Sequence, residues 1–421
     1  MNESKRTKIK KTLKATRERR KNQVARVYQL KLQNLSKKDE EKLDRLFLEA
    51  KWFYNYIVAD IENRLNGNTW KIKEVEIKTP EGFEKREIKN LSSQMKQGIV
   101  ERIKNSLNAL RKAKENRIKI GKLQFKSDIR SIPLKQYGVT YKILGDRNRV
   151  KIQGIKKKFR VLGLLQIPKK AEITNAYLIK KPSGFYIHIA CYLPKEKVIR
   201  EIKEKQVKQP IGIDIGIETQ LTLSNGEKIS WNVPETERLK KLQKELARKV
   251  KGSRNYLKTK RKLQKEWEYI RNKRKDIHNK VVKYLKRFAL IVFQNDSIKS
   301  WHEGLFGKQV QNTGIGGITA RLKRLATLIP DLIKIVPRFE PTTQTCSFCG
   351  HRQKVKLSER VFRCQNCGRE LDRDINAAVN ILKIALKGLA DPLKSALPVD
   401  CGEVTPVEWA VAHGEAGSPS L

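Results

Sequence analysis

Four cysteines constrain this chain more than any other feature. Cys346 and Cys349, then Cys364 and Cys367, form two Cys-x2-Cys pairs with fourteen residues between them. Each pair sits in a knuckle, Cys346-Ser347-Phe348-Cys349-Gly350 and Cys364-Gln365-Asn366-Cys367-Gly368. The glycines let backbone amides turn toward the thiolates. Four sulfurs on two knuckles close a tetrahedron, the preferred structural site of zinc, with an iron centre of the same ligation as the alternative. A full site of this kind folds its segment and leaves no position open for catalysis. His351 follows the first knuckle and is surplus to it. Cys191 and Cys401 stand alone, Cys191 on a strand as a small core residue. In a cytosolic chain the pattern reads as metal and not as disulfide.

Charge constrains the partner. The 421 residues hold 93 Lys plus Arg against 44 Asp plus Glu, a formal charge of +49 spread over most of the length. Self-repulsion of that size strains a compact fold unless a polyanion offsets it. The spread favours a large nucleic-acid surface over one short contact or an anionic membrane. No run of about 18 apolar residues occurs and the N-terminus lacks the apolar stretch of a signal peptide, so a cytosolic protein without membrane spans is expected.

The hydrophobic pattern divides the chain. Residues 1–22 carry ten Lys or Arg against two Glu and read as a basic arm, disordered until it meets a polyanion. Val24 to Leu32 alternates as a strand. Ser36 caps a helix, with Asp39 and Glu40 in its first turn, that runs to about Asn63. A hairpin is expected around Pro80-Glu81-Gly82, and a second helix over Ser92 to Arg117. Short strands between Ser131 and Leu193 fit a small barrel that the strand at 24–32 joins. Pro194 to Pro210 reads as a charged linker. A buried strand follows at Ile211, then long basic helices over Thr236 to Arg287 broken at Gly252-Ser253. A strand over Leu290 to Phe293, a helix over Ile318 to Leu328, a strand over Ile333 to Val336 and a helix over Ile375 to Leu386 complete the pattern. Residues 388–421 hold one Lys against five acids, with four prolines, and read as a flexible tail.

Two further motifs carry chemistry. Ile211-Gly212-Ile213-Asp214-Ile215-Gly216-Ile217-Glu218 ends a buried strand in an acid, with glycines that let a backbone approach closely. Leu371-Asp372-Arg373-Asp374-Ile375-Asn376-Ala377-Ala378 places two acids before an Ala-rich helix. Asp372 is a candidate N-cap, and Asp374 projects from the first turn. Metal-assisted phosphodiester cleavage needs two or three carboxylates around Mg²⁺ ions that activate water and stabilise the leaving oxygen.

These motifs occur in the order of a known family. With Pro341-Thr342-Thr343-Gln344-Thr345-Cys346 leading into the first knuckle, the chain closely resembles TnpB, the OrfB family of bacterial and archaeal insertion sequences and a relative of compact type V CRISPR effectors. The resemblance implies a multidomain α+β architecture: a basic N-terminal arm (1–22), a wedge-type β-barrel (23–35 and 131–207) with an inserted helical recognition lobe (36–130), a RuvC-like (RNase H-like) α/β nuclease domain (208–340 and 371–387) with an inserted zinc ribbon (341–370), and a C-terminal tail (388–421). It implies an RNA-guided DNA endonuclease whose partners are a guide RNA and double-stranded target DNA with a short adjacent motif. It also implies a prokaryotic cytoplasmic location, at the nucleoid through DNA. Structural zinc on Cys346, Cys349, Cys364 and Cys367 and catalytic magnesium on acids are implied. Asp214 matches the first acid and Asp374 the last. The middle strand, Ile291-Val292-Phe293-Gln294-Asn295-Asp296, carries Gln294 where the family usually has Glu. Asp296, of the same parity, is expected to take the role through a bulge or turn, with Glu303 a distant third candidate. A nuclease-inactive guided DNA-binding protein, a compact type V CRISPR effector nuclease and an RNA-binding zinc protein without DNA targeting are the competing readings. His278 is expected to pack or touch phosphate and not to act as a base.

Overall fold

The computed structural model describes residues 5–79, 81–145, 148–356 and 358–387. The expected tail at 388–421 and Pro80 of the expected hairpin turn lie outside them. The chain divides into two compact units, Met1–Val198 and Ile199–Leu421. No helix among the described residues is long and apolar enough to cross a membrane.

The first unit begins with α1 (Lys5–Lys21). This corrects the expectation of a disordered arm. Lys, Arg, Ala and Leu are good helix formers whatever their charge. The last turn is also tied down: Arg19 and Arg20 pair with Glu172 at 3.0 and 2.8 Å, and Arg20 stacks on Tyr192 at 3.4 Å. Strand β1 (Gln23–Gln33) leads to α2 (Lys37–Ala59), whose N-terminus is closed by a capping box between Ser36 and Asp39. The helix stops at Asp60, short of Asn63. Asp60 leaves the helical conformation and caps the single turn α3 (Ile61–Arg64) through the N–H of Asn63. The hairpin β2 (Glu74–Thr79) and β3 (Gly82–Glu87) follows, then α4 (Ser93–Glu115), capped by Ser92.

Glu49 is wholly buried on α2. It accepts from Arg45 Nε, the backbone N–H of Asn90 and Leu91, and Asn90 Nδ2, at 2.6 to 3.2 Å. A buried carboxylate persists only when satisfied in this way, and here it ties α2 to the entry of α4. The remaining strands are β4 (Ser131–Leu134), β5 (Tyr141–Leu144), β6 (Arg149–Ile152), β7 (Lys158–Leu162), β8 (Glu172–Lys181) and β9 (Gly184–Pro194). With β1 they form a seven-stranded sheet, ordered β4-β8-β9-β1-β7-β6-β5 and antiparallel throughout. Its edge strands β4 and β5 do not pair with each other. The sheet is therefore an open half-barrel where a small barrel was expected. Cys191 is buried on β9, and burial pushes its thiol up to about 11, as for a core residue.

Most of the expected linker at 194–210 is ordered, as α5 (Lys195–Lys203) and the start of β10 (Val207–Ile215). Beyond β10 come β11 (Leu221–Leu223), β12 (Lys228–Ile229), α6 (Glu237–Ala247), α7 (Arg254–Leu285) and β13 (Phe288–Gln294). Ser253 caps α7, the break expected at Gly252-Ser253. Then follow α8 (Ile298–Glu303), α9 (Gly307–Thr313), α10 (Gly316–Leu328), β14 (Ile333–Val336), β15 (Val361–Arg363), β16 (Glu370–Asp372) and α11 (Arg373–Leu386). The second unit's main sheet runs β12-β11-β10-β13-β14, with β10, β13 and β14 parallel.

Strand parity sorts its two faces. Ile211, Ile213, Ile291 and Phe293 point into a core shared with α7 and α10. Leu290, Val292 and Val336 point the other way, against Ile381, Leu382 and Leu386 of α11. Gly212 pairs with Val292 and lies on the α11 face. A Cβ there would meet the carbonyl oxygen of Ala378 at 2.1 Å and Leu382 Cβ at 2.9 Å. The missing side chain lets α11 press directly onto β10.

Candidate active site and four-cysteine cluster

That packing sets the acids. Asp214 lies two residues beyond Gly212 on β10, on the same face. Asp374 stands in the first turn of α11, the helix that Gly212 admits. Asp372 is the helix N-cap, as expected: one carboxylate oxygen accepts from the N–H of Asp374 and Ile375 at 3.0 and 3.1 Å, while the other meets Lys228 at 2.6 Å. The cap fixes the turn that carries Asp374. Arg373 donates to Asp374 at 3.1 Å.

Asp296 arrives by a turn. Its N–H donates to the carbonyl of Gln294 at 3.0 Å, and Asn295 N–H reaches Val336 at 3.0 Å, so the chain bends sharply at the end of β13. Asp214 feels the result. Burial first, then the charges of Asp374 and Asp296, push its carboxyl up to about 7, while Arg373 partly offsets them. Burial also raises Asp296, opposed by Arg338 and Lys323. Glu303 is not among the charges that act on Asp214; it lies exposed on α8, paired with Lys299 at 3.5 Å. Asp214 senses the charge of the other two aspartates, but among the described residues no group of three donors around it closes to within 4.8 Å. A crowd of like charges that holds a proton near neutrality is also a donor set that a divalent cation would relieve.

Gln294 faces Asp214's side of the sheet, but its polar atoms are engaged elsewhere. Its Nε2 donates to the carbonyls of Pro337, Arg338 and Glu340 at 3.1, 2.8 and 3.0 Å. Its Oε1 accepts from Thr342 Oγ1 at 3.2 Å.

The four cysteines close tightly. Cys346 and Cys367 sulfurs are 3.7 Å apart, Cys349 and Cys364 3.5 Å, and all four lie within 4.8 Å. These separations are too long for disulfides. They match the roughly 3.8 Å edge of a tetrahedron built on Zn–S bonds of about 2.3 Å. The knuckles repeat one another. Cys346 N–H bonds His351 O at 2.8 Å and Gly350 N–H bonds Cys346 O at 3.0 Å; Cys364 and Gly368 do the same with Arg369 O and Cys364 O at 2.9 and 3.0 Å. Gly350 and Gly368 have φ of 76° and 68°, which a glycine adopts without strain. The His351 backbone and Asn366 pull the Cys349 thiol down, while at Cys367, against the pull of the Arg369 backbone, the neighbouring sulfurs push the thiol up. His351 contributes its backbone and no ligand. Phe362 is buried between the knuckles.

A stripe on α11 that the sequence reading missed ties this cluster to Asp374's helix. Asn376, Asn380 and Lys383 share one face at spacings of four and three. Asn376 Oδ1 accepts from Ser347 N–H at 2.8 Å and its Nδ2 donates to Thr345 O at 2.8 Å. Asn380 Nδ2 donates to Thr342 O and Thr345 O at 2.8 and 2.6 Å, and Lys383 bonds Ser347 O. Their signal was two asparagines inside an otherwise apolar helix face. His278 packs as expected: its Nε2 meets Thr313 O at 3.2 Å, and burial pushes its pKa down.

The first unit holds a cationic groove of about 630 Å³ lined by Arg20, Arg102, Lys135, Asn105, Asn175 and Tyr177. The second holds another of about 710 Å³ rimmed by Lys205, Lys280, Lys283, Lys286 and Arg287. Both carry a net positive charge, with one acid on each, Glu101 and Glu201.

A mixed sheet edged by aspartates and joined to a four-cysteine cluster defines the chain as an α+β protein with two candidate metal centres. Known proteins narrow this further. The model described as "Probable transposase" (OrfB_IS605) matches residues 189–288, and the one described as "Cas12f1-like, TNB domain" matches residues 326–381. The chain is TnpB-like. A "Putative RNA-guided DNA endonuclease" of Streptomyces pristinaespiralis is 30% identical over 186 residues, 43% of this chain and 46% of that protein. The "Putative RNA-guided DNA endonuclease InsQ" of Escherichia coli (strain K12) is 31% identical over 194 residues, 41% and 48%. The match thus spans about half the length of each relative. The solved structure of a Cas12f1–sgRNA–target DNA complex covers 88% of this chain and 86% of that chain at 14% identity, with a TM-score of 0.48.

Proposed function

We propose that the chain is an RNA-guided DNA endonuclease of the TnpB type, which cuts target DNA by metal-dependent phosphodiester hydrolysis at Asp214, Asp296 and Asp374. One observation carries the reading: acids from two strand ends and one helix start meet at a buried place, where burial first, then the charges of Asp374 and Asp296, raises Asp214 to about 7. Magnesium bound by these carboxylates would activate water and stabilise the leaving oxygen. The chain's own residues prepare the place. Gly212 sets the helix on the strand, Asp372 orders the turn that bears Asp374, and Arg373 and Arg338 lower the repulsion among the acids. Zinc on Cys346, Cys349, Cys364 and Cys367 would fold the ribbon at 341–370, giving it no catalytic position.

On this reading the half-barrel strands at 23–35 and 131–207 form the wedge, 36–130 the recognition insertion, and 208–340 with 371–387 the nuclease domain. The charge of +49 and the two cationic grooves support guide RNA and target DNA as partners. Purification from the native locus, followed by sequencing of the RNA that accompanies the protein, tests the proposal. A discrete RNA ending in a variable guide is expected. Bulk cellular RNA would leave only an RNA-binding protein.

A second reading, guided DNA binding without cleavage, draws on Gln294 alone, a neutral residue where the family usually has an acid. The unaltered protein beside Asp296→Asn in a guided cleavage assay separates the two, since on the second reading neither cuts. Loss of cutting is expected; unchanged cutting removes Asp296 from the site.

A further inference from the structure

Residue 294 lies beside Asp214 on the sheet, and its neutrality invites the view that the site has decayed. The hydrogen bonds around it say otherwise. We propose, resting on the nuclease reading above, that Gln294 is a positioning residue. Its side-chain amide fastens the segment Pro337–Thr342 to the end of β13 and so fixes Asp296, which supplies the third carboxylate in its place.

The side chain is only 8% exposed. Three carbonyl oxygens, from Pro337, Arg338 and Glu340, surround Nε2 at 2.8 to 3.1 Å. Only a donor can serve them, so the amide orientation is determined by its surroundings. The other end, Oε1, takes the Thr342 hydroxyl. An ionised Glu at this position would keep the Thr342 bond but would turn its other oxygen, an acceptor, toward three carbonyl acceptors with no proton between them. A buried group left in that state costs its full desolvation. The site thus selects Gln over Glu.

The fastened segment has two links to the acids. Arg338 lies on it, and its charge acts on Asp296. Thr342 is the point where two clamps meet: its hydroxyl donates to Gln294 on β13, and its carbonyl accepts from Asn380 on α11. β13 and α11 are the elements that deliver Asp296 and Asp374. Gln294 therefore locks together the two supports of the acids, and does so through the chain that enters the first cysteine knuckle.

The test uses the full-length protein in complex with its RNA, carrying Gln294→Glu, Gln294→Met or Thr342→Val. Amide hydrogen exchange over residues 337–347 is expected to quicken by about tenfold in both Gln294 variants, and less in Thr342→Val, which removes a single bond. Guided DNA binding should stay within about twofold of the unaltered complex, since these groups face protein and not nucleic acid. Single-turnover cleavage should fall by on the order of 100-fold, with a higher Mg²⁺ concentration at half-maximal rate. A Gln294→Glu complex that cuts faster, or at lower Mg²⁺, would overturn the proposal by showing a vacated ligand position. Unchanged exchange over 337–347 in all three variants would overturn it as well. If the unaltered complex does not cut at all, the nuclease reading falls, and the exchange rates alone decide the clamp.

Discussion

The four-cysteine cluster and the aspartate cluster share one helix, yet they are built on opposite principles. The cysteines come from two short turns of identical design, and their sulfurs already lie within 4.8 Å of one another. The aspartates come from β10, from the bend after β13 and from α11, with up to 160 residues between them in sequence. They close less tightly, and burial first, then the charges of Asp374 and Asp296, raises Asp214 to about 7. The first site is complete and local; the second is open and depends on tertiary packing. This fits the roles proposed for them. A closed tetrahedron suits a structural ion, whereas a reactive centre needs positions left for water and phosphate. It also means the two should fail differently.

The largest effect is expected at the open site. Asp214→Ala or Asp374→Ala should lower guided cleavage by about 1,000-fold or more, the equivalent of several kcal/mol of lost transition-state stabilisation, while guided DNA binding is retained. Single-turnover cleavage beside a binding titration checks this, and full cutting by either variant would remove that residue from the centre. The closed site should fail through structure. Cys364→Ser is expected to release the zinc, raise hydrogen exchange across residues 341–370 and reduce cleavage, because Asn376 and Asn380 bind the knuckle to the helix of Asp374. Metal analysis giving the same zinc content as the unaltered protein would contradict this.

Gly212→Ala sharpens the comparison, since it touches the support of the acids and neither set of ligands. Its Cβ would lie 2.1 Å from Ala378 O. Overpacking of this kind should cost about 1–3 kcal/mol and lower the thermal midpoint, with zinc content unchanged. The smallest effect lies outside both sites. Bonds from Lys157 and then Ser36 hold the Asp39 carboxyl down at about 2, against an ordinary 3.8. An acid depressed on folding contributes stability that is present above pH 3.8 and is lost as pH falls through 2. Asp39→Asn should therefore flatten the acid limb of the unfolding curve between those values and leave neutral cleavage unchanged.

The same contrast explains what was legible from the residues. Cys-x2-Cys encodes its own geometry, so the cysteine cluster was readable before any fold was known. The strand Ile333–Val336 was readable to the residue, because a short apolar run between Pro330 and Pro337 marks it, although Ile335 is exposed. Asp214 and Asp374 were readable only through a family's motif order, since no local spacing joins β10 to α11. The bend that turns Asp296 was anticipated as a possibility, but its hydrogen bond could not be foreseen. Gln294 was read as a deficit, because its carbonyl partners lie 43 to 46 residues downstream. Charge misled at the N-terminus: ten cations in 22 residues suggested disorder, while helix propensity and Glu172 gave α1.

The central claim is that Asp214, Asp296 and Asp374 form one divalent-metal centre. Anomalous diffraction from crystals of the RNA complex, equilibrated with Mn²⁺ in place of Mg²⁺, tests it most directly. The expected result is anomalous density bounded by the carboxylates of all three residues, lost in Asp214→Ala. Density that contacts Gln294 and not Asp296, or none near Asp214 at saturating Mn²⁺, would contradict it.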